Sequence, residues 1–265
     1  MYTDDIIKYP RTSHIQGSGL QTGDHDLKRF AFGELRGRSL VVEEKVDGAN
    51  TGIGFDDRGS LRLQCRGHYL TGGESEKQFN LLKTWAQTHQ AAFWERLGTR
   101  YLMYGEWLYA KHTVFYDALP HYFMEFDVYD RDERSFLSTE RRRELLEGLP
   151  VVPVPVLKTG SFSSLKELTA LVRPSLYKTA NWRDSLREAA QAAGADPEFT
   201  LARETDNSDL SEGLYIKWEQ DGRVCDRYKW VRPDFIQAIK DSGSHWRDRP
   251  LIKNGLRSDV DLFAP

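Results

Sequence analysis

The chain of 265 residues predicts an α+β fold in one domain, with central, mainly antiparallel sheets and helices at the periphery. Two observations carry this. Short runs of alternating apolar residues are separated by turn residues, and the apolar residues with helical spacing lie between those runs or after them. Val41–Lys45 and Thr51–Phe55 read as strands, and Asp57-Arg58-Gly59 turns into a third, Leu61–Cys65. Phe79, Leu82, Trp85, Ala86, Phe93 and Leu97 predict one helix over Glu74–Leu97, ended by Gly98. Arg100–Tyr109 and His121–Tyr129 read as strands, and Ser138 or Thr139 caps a short helix through Leu146. Three prolines make Leu149–Leu157 an edge strand or an extended crossing. Helices follow at Ser164–Val172 and Trp182–Ala193, then a polar loop, Glu204–Ser211. Glu212–Glu219 and Arg223–Val231 form a hairpin across Gln220-Asp221-Gly222, and Pro233 opens a last helix at Asp234–Lys240. Residues 1–38 are polar and Gly-rich (Pro10, Gly17, Gly19, Gly23, Gly33, Gly37) and predict an arm packed on the domain. The domain proper is 39–242, and 243–265 is a tail anchored by Trp246.

A net charge of −3 excludes a global basic field, so a nucleic-acid partner must be met by a local patch. A hydrophobic fraction of 39% is enough to build a full core, and excludes disorder by composition. Cys65 and Cys225 lack metal or redox spacing and are placed in the core of a reduced protein. Met1-Tyr2-Thr3-Asp4-Asp5 carries acids where a signal peptide needs bases. No apolar run is long enough to span a bilayer. Together these predict a soluble, cytoplasmic protein.

The informative stretch is Glu43-Glu44-Lys45-Val46-Asp47-Gly48-Ala49-Asn50. A lysine at a strand end, followed at once by an Asp-Gly turn, is placed as a nucleophile. It attacks only as the neutral amine, so burial or nearby cations must lower its pKa. Further along come Gln64-Cys65-Arg66-Gly67, Tyr104-Gly105-Glu106-Trp107 and Phe123-Met124-Glu125-Phe126-Asp127. The last two stretches are Glu212-Gly213-Leu214-Tyr215-Ile216-Lys217 and Arg227-Tyr228-Lys229-Trp230.

This order, Lys-x-Asp-Gly, Gly-Glu, Phe-Asp, Glu-Gly-x-x-x-Lys and a basic-x-Lys strand, resembles the covalent nucleotidyltransferases. It is most similar to ATP-dependent polynucleotide ligases of the T4 RNA ligase 2 type, a branch favoured by Asn50. The resemblance spans residues 44–230. It implies a nucleotidyltransferase fold (an ATP-grasp-like ligase adenylation domain), with ATP and Mg2+ or Mn2+ as cofactors and AMP carried covalently on Lys45. Glu106 would accept hydrogen bonds from ribose hydroxyls, and Phe126 would stack on adenine. Glu212 would hold the divalent cation and help position Lys45. Arg227 and Lys229 would contact phosphate and depress the Lys45 pKa. Glu44 and Lys217 complete the nucleotide-binding set, although the alternation of its strand equally puts Lys217 on a solvent face. Asn50 and Arg66 would serve the steps at the polynucleotide ends.

The resulting expectation is an RNA ligase that joins 5′-phosphate and 3′-hydroxyl ends in RNA repair. The alternatives are a small DNA ligase, a GTP-using capping enzyme and a non-catalytic nucleotide- or RNA-binding module. About thirty residues follow Val231, too few for a five-stranded OB barrel, so no OB domain is expected and a partner protein is a candidate for gripping RNA. Arg11, Lys28, Arg29, Arg36, Arg247, Arg249 and Lys253 are candidates too, although each singly reads as a solvated charge. Arg141-Arg142-Arg143 reads as an exposed helix face. His14, His25 and His68 are candidates for the substrate surface.

Overall fold

The structure is a computed structural model, and it describes residues 6–21, 24, 26–243 and 249–264. Met1–Asp5, Gly23, His25, Trp246 and Arg247, all used above, lie outside the described residues. Strands β1 (Ser13–Ile15) and β2 (Arg29–Phe30) precede β3 (Leu40–Lys45), β4 (Ala49–Phe55) and β5 (Leu61–Cys65). Helices α1 (Asn80–Thr88) and α2 (Gln90–Leu97) lead into β6 (Tyr101–Trp107), β7 (Phe123–Asp130) and β8 (Ser135–Leu137). Then come α3 (Thr139–Leu146), β9 (Val152–Pro153), β10 (Val156–Gly160), α4 (Leu165–Thr169), α5 (Trp182–Ala192) and α6 (Pro197–Arg203). The hairpin β11 (Gly213–Gln220) and β12 (Arg223–Val231) and a last helix, α7 (Pro233–Asp241), follow.

One mainly antiparallel sheet runs β10-β3-β11-β12-β8-β7-β6-β4-β5, with β1 and β9 joined to it by parallel pairing. Alternation along β3, β11 and β12 sends Leu40, Val42, Leu214, Ile216 and Tyr228 to one face, where they pack on Ile15, Phe32, Phe162 and Leu168. The opposite face is left for the charged residues described below. A larger core joins Ile53, Phe55, Met103 and Phe123 of β4, β6 and β7 to Leu82, Trp85 and Phe93 of α1 and α2. A third gathers Trp182, Leu186, Ala190 and Leu201 of α5 and α6 with Phe115 and Ile252.

The differences from the sequence expectations are local. The helix expected over Glu74–Leu97 is three pieces, a 3-10 turn at Glu74–Phe79, then α1 and α2. Buried His89, with φ −96° and ψ 11°, breaks the last two apart, and both can then set apolar residues on the same core. Helix α6 was not expected, although Asp196 caps it by accepting from Phe199 N at 2.9 Å and Pro197 opens it. Neither cysteine is in the core, since Cys65 is half-buried and Cys225 exposed. The N-terminal arm is a member of the sheet, because β1 pairs with Tyr228 and Lys229 of β12.

Candidate active site

Lys45 is the last residue of β3, where the register sets it opposite Gly213 of β11. Glu212 therefore stands beside it, and Lys45 Nζ donates to Glu212 Oε2 at 2.8 Å. A Cβ on Gly213 would lie 2.1 Å from the Trp230 carbonyl oxygen, so only glycine lets β12 approach so closely here. Arg232 fixes the Glu212 backbone. Its amide donates to Glu212 O at 3.1 Å and its Nε to Ser211 O at 2.7 Å. Buried Arg232 also pairs with Asp206.

The turn after Lys45 is clamped from two sides. The Asp47 carboxylate accepts from Thr113 N at 2.7 Å and Val114 N at 2.9 Å, and Asp47 N donates to Tyr116 Oη at 2.8 Å. Gly48 N donates to Glu106 Oε1 at 3.1 Å, and a Cβ at Gly48 would meet the Trp107 carbonyl oxygen at 2.7 Å. Asn50 is opposite Glu106 in the β4–β6 register, which puts both side chains on one face. Arg66, exposed just beyond β5, is close enough to act on the Glu106 charge.

Lys45 thus has three carboxylates around it. Burial pushes both Glu106 and Glu212 up to about 7, even though Lys45 opposes the rise at each. Burial would lower the Lys45 ammonium, but Glu212, Glu106 and Asp47 outweigh it and the lysine is raised. The expectation that cations depress Lys45 therefore fails in this state. Lys229 is on the same face of the sheet, since Tyr215 is opposite both Glu43 and Lys229. Its charge is held by Asp24, at 2.8 Å.

Three expected ligand residues are not brought to Lys45. The Glu44 side chain points to the opposite face from Lys45, as adjacent strand residues must, and accepts from Ser175 Oγ at 2.6 Å. Lys217 is neither a solvent-face residue nor an accessible ligand. It is fully buried, 3.0 Å from Glu43 and 3.1 Å from Asp127, and donates to the Phe126 carbonyl. Arg227 is almost buried too, with its guanidinium 3.8 Å over the Phe136 ring and 3.9 Å from Asp127. Arg142 corrects the exposed-helix expectation for its triplet. It is 0% exposed, bridging Glu43 at 3.0 Å and Glu125 at 3.3 Å, whereas Arg143 is exposed. Only that member of the triplet turns inward on the short helix α3.

Phe126 is almost buried. A bulge where Tyr104 faces Asp127 and Gly105 faces Glu125 leaves Phe126 as the extra residue. Its ring is 8% exposed, edge-on to Tyr9 at 5.1 Å and tilted against Tyr215 at 6.2 Å. Tyr9 itself hydrogen-bonds Asp127 and Tyr215. The sequence reading gave no role to Tyr9, Asp24, Glu43, Asp127 and Arg232, each of which has at least one partner from a distant part of the chain.

A family model described as RNA ligase matches residues 38–231. The chain belongs to the RNA ligase family. No curated protein matches the sequence. Among solved structures, it is similar to RNA ligase of Naegleria gruberi. A lysine-to-alanine variant of that enzyme with ATP and Mn matches at 16% identity and TM-score 0.56, covering 91% of this chain and 60% of that one. The same enzyme with PPi matches at 18% identity and TM-score 0.55, again over 91% and 60%. A glutamate-to-alanine variant with AMP and Mn gives 17% identity, TM-score 0.55 and the same coverage. At these identities the likeness is one of fold. This RNA ligase family member spans about 60% of the length of those chains.

Proposed function

We propose that this protein is an ATP-dependent RNA ligase that joins 5′-phosphate and 3′-hydroxyl ends through AMP carried on Lys45. The observation that carries the proposal is the Lys45–Glu212 pair at 2.8 Å, on the same sheet face as Lys229 and next to Glu106. The ATP, AMP, PPi and Mn of the Naegleria structures support the choice of nucleotide and of a divalent cation.

In the first step the Lys45 amine attacks the α-phosphorus of ATP. An N–P bond forms, the bond to the β-phosphate oxygen breaks, and pyrophosphate leaves with that electron pair. Lys45 must first shed a proton, and Glu212, in contact with Nζ and titrating near 7, is placed to take it. Lys229 meets phosphate charge, and Glu106, in its ionised form, accepts from ribose hydroxyls. Phe126 offers its ring to adenine, a contact worth roughly 1–3 kcal/mol for a base. Glu44, Lys217 and Arg227 act from behind the surface. Lys217 holds the carbonyl of Phe126, and Arg227 stacks on Phe136 next to Asp127. AMP then passes to an RNA 5′-phosphate, and a 3′-hydroxyl displaces it, with Asn50 and exposed Arg66 at the polynucleotide ends.

Among the described residues no group of three acidic, histidine or cysteine side chains could by itself hold a metal. The donors nonetheless fit a hard cation. Glu106, Glu212 and Asp47 are all oxygen donors, and Glu106 and Asp47 each help to raise Glu212. Mg2+ commonly takes one or two carboxylates, with phosphates and water completing its shell. Bound there, it would neutralise phosphate charge. No helix among the described residues is long and apolar enough to cross a membrane, and both cysteines are free, in keeping with a cytoplasmic role in RNA repair.

Incubation with ATP labelled at the α-phosphate tests the mechanism. The wild type should form an acid-labile adduct and Lys45→Ala none. Equal labelling of the two would rule out Lys45. A sealing preference for a deoxyribose 3′ end would replace RNA by DNA as the substrate.

A further inference from the structure

Asp24 makes a set of contacts that the proposed chemistry leaves unused. Its Oδ2 receives two donors, His14 Nε2 at 2.9 Å and Lys229 Nζ at 2.8 Å. Arg11 stands at the rim, 3.5 Å from Oδ1, with its closer partner Asp26 at 2.6 Å. The donors and the acceptor differ in how they are held. His14 is 1% exposed on β1 and is the register neighbour of Lys229 on β12. Behind it, Ser18 Oγ lies 2.7 Å from His14 Nδ1 and accepts from Val231 N at 2.9 Å. The Asp24 carboxylate can only accept, so in this contact His14 Nε2 carries the proton. Asp24 sits outside the strands, its amide donating to Gln21 O at 3.0 Å and its carbonyl accepting from Leu27 N at 3.1 Å, with 16% of its side chain exposed.

Two converging N–H donors fixed on adjacent strands, filled by one carboxylate oxygen from outside the strands, are a site for an anionic oxygen. We propose that His14 and Lys229, with Arg11 at the rim, form a phosphate-binding site that Asp24 occupies until a phosphate displaces it. The proposal rests on the reading of Lys229 as a phosphate ligand and adds His14, Arg11 and the internal competitor. Burial alone would raise the Asp24 carboxyl, but His14 and Lys229 hold it well below the usual carboxylate range. It is therefore a full anion, and a phosphate competes with it directly.

The phosphate could be the polyphosphate tail of ATP or the 5′-phosphate of RNA, and binding separates them. The chain carrying Lys45→Met removes turnover, so titration calorimetry reads affinity alone. In that background Asp24→Asn, close in shape, should tighten pyrophosphate about tenfold, equal to about 1.4 kcal/mol. His14→Gln or Lys229→Gln should cancel the gain. A gain for a 5′-phosphorylated oligoribonucleotide and none for pyrophosphate assigns the site to RNA ends. Unchanged or weaker binding of both would overturn the proposal, as would an equal gain for an oligoribonucleotide ending in a 5′-hydroxyl. Failure of the wild type to label with ATP would sink the adenylylation reading and leave these binding results standing.

Discussion

Lys217→Met tests whether the ion cluster behind the site supports the fold. The substitution keeps the length of the stem and deletes one buried charge. Lys217, Arg142 and Arg227 face Glu43, Glu125 and Asp127, so cations and carboxylates balance. Without Lys217, Glu43 and Asp127 lose contacts of 3.0 and 3.1 Å in a place water does not reach. Breaking a buried pair costs about 3–5 kcal/mol, and at about 2–4 °C per kcal/mol for a chain of this size Tm should fall roughly 6–20 °C. The loss should also depend on pH. Burial already pushes Glu125 up to about 7 against Arg142 and Lys217, and deleting Lys217 pushes it higher. The folded variant then keeps a proton that the unfolded chain, with a glutamate near ~4.3, has lost. When the native state binds more protons, stability falls as pH rises, by up to about 1.4 kcal/mol per unit for one proton. The deficit relative to wild type should therefore be larger at pH 8.5 than at pH 6. Urea unfolding at both pH values measures it. A loss under about 1 kcal/mol that is also equal at the two pH values would refute the reasoning, since a buried excess carboxylate must either stay charged at a cost or take up a proton.

Glu44→Gln keeps the bond to Ser175 within reach on the face opposite Lys45, so adenylate labelling should stay within about twofold of wild type, at a cost near ~1 kcal/mol in thermal unfolding. Asp47→Ala frees Thr113 N and Val114 N and should lower single-turnover labelling at least about tenfold by loosening the turn that aims Lys45. Glu212→Gln should abolish labelling and change the pH dependence of stability. The Glu212 carboxyl is raised by burial to about 7, so its contribution is full below about 4.3 and lost as pH rises through 7. The glutamine variant lacks that loss and should gain on wild type between pH 5 and 8, by up to about 3 kcal/mol, as read by unfolding midpoints.

Residues at or near strand ends were legible in the sequence. Lys45 ends β3 with only Val46 between it and Asp47-Gly48, and Glu212 and Glu106 each adjoin a glycine, although Glu106 lies within β6 and not at its end. Period-2 alternation was available for Glu44. A neighbour of Lys45 in a strand must face away from it, so membership of a motif was a poorer guide than alternation. Lys217 and Arg142 are another matter. Their partner Glu43 is 174 and 99 residues away, and no local pattern distinguishes a buried cation from a solvated one before the sheet curls. Arg227 was hidden in the same way, because its cover is Phe136 and Tyr9 from other parts of the chain. The helix break at His89 and the strand at Ser13–Ile15 depend on tertiary packing that overrides weak local preference.

Asp24 also bears on why Lys45 is raised where a nucleophile needs to be lowered. Lys229 is near enough to Lys45 for the two charges to repel, yet Asp24 neutralises it. Glu212, Glu106 and Asp47 then dominate at Lys45. A nucleotide phosphate that takes the place of Asp24 would bring its own negative charge, so Lys229 would still be screened until that phosphate charge is offset. A divalent cation held by the carboxylates beside Lys45 would supply that neutralising charge. It would act toward the neutral amine, with Glu212 still in contact to take the proton. Nucleophile activation should therefore require metal and nucleotide together. The titration of Lys45, followed by the pH dependence of its modification by an amine reagent, should move down with ATP and Mg2+ present. It should stay high with either alone. A fall with ATP alone would show that displacement of Asp24 suffices.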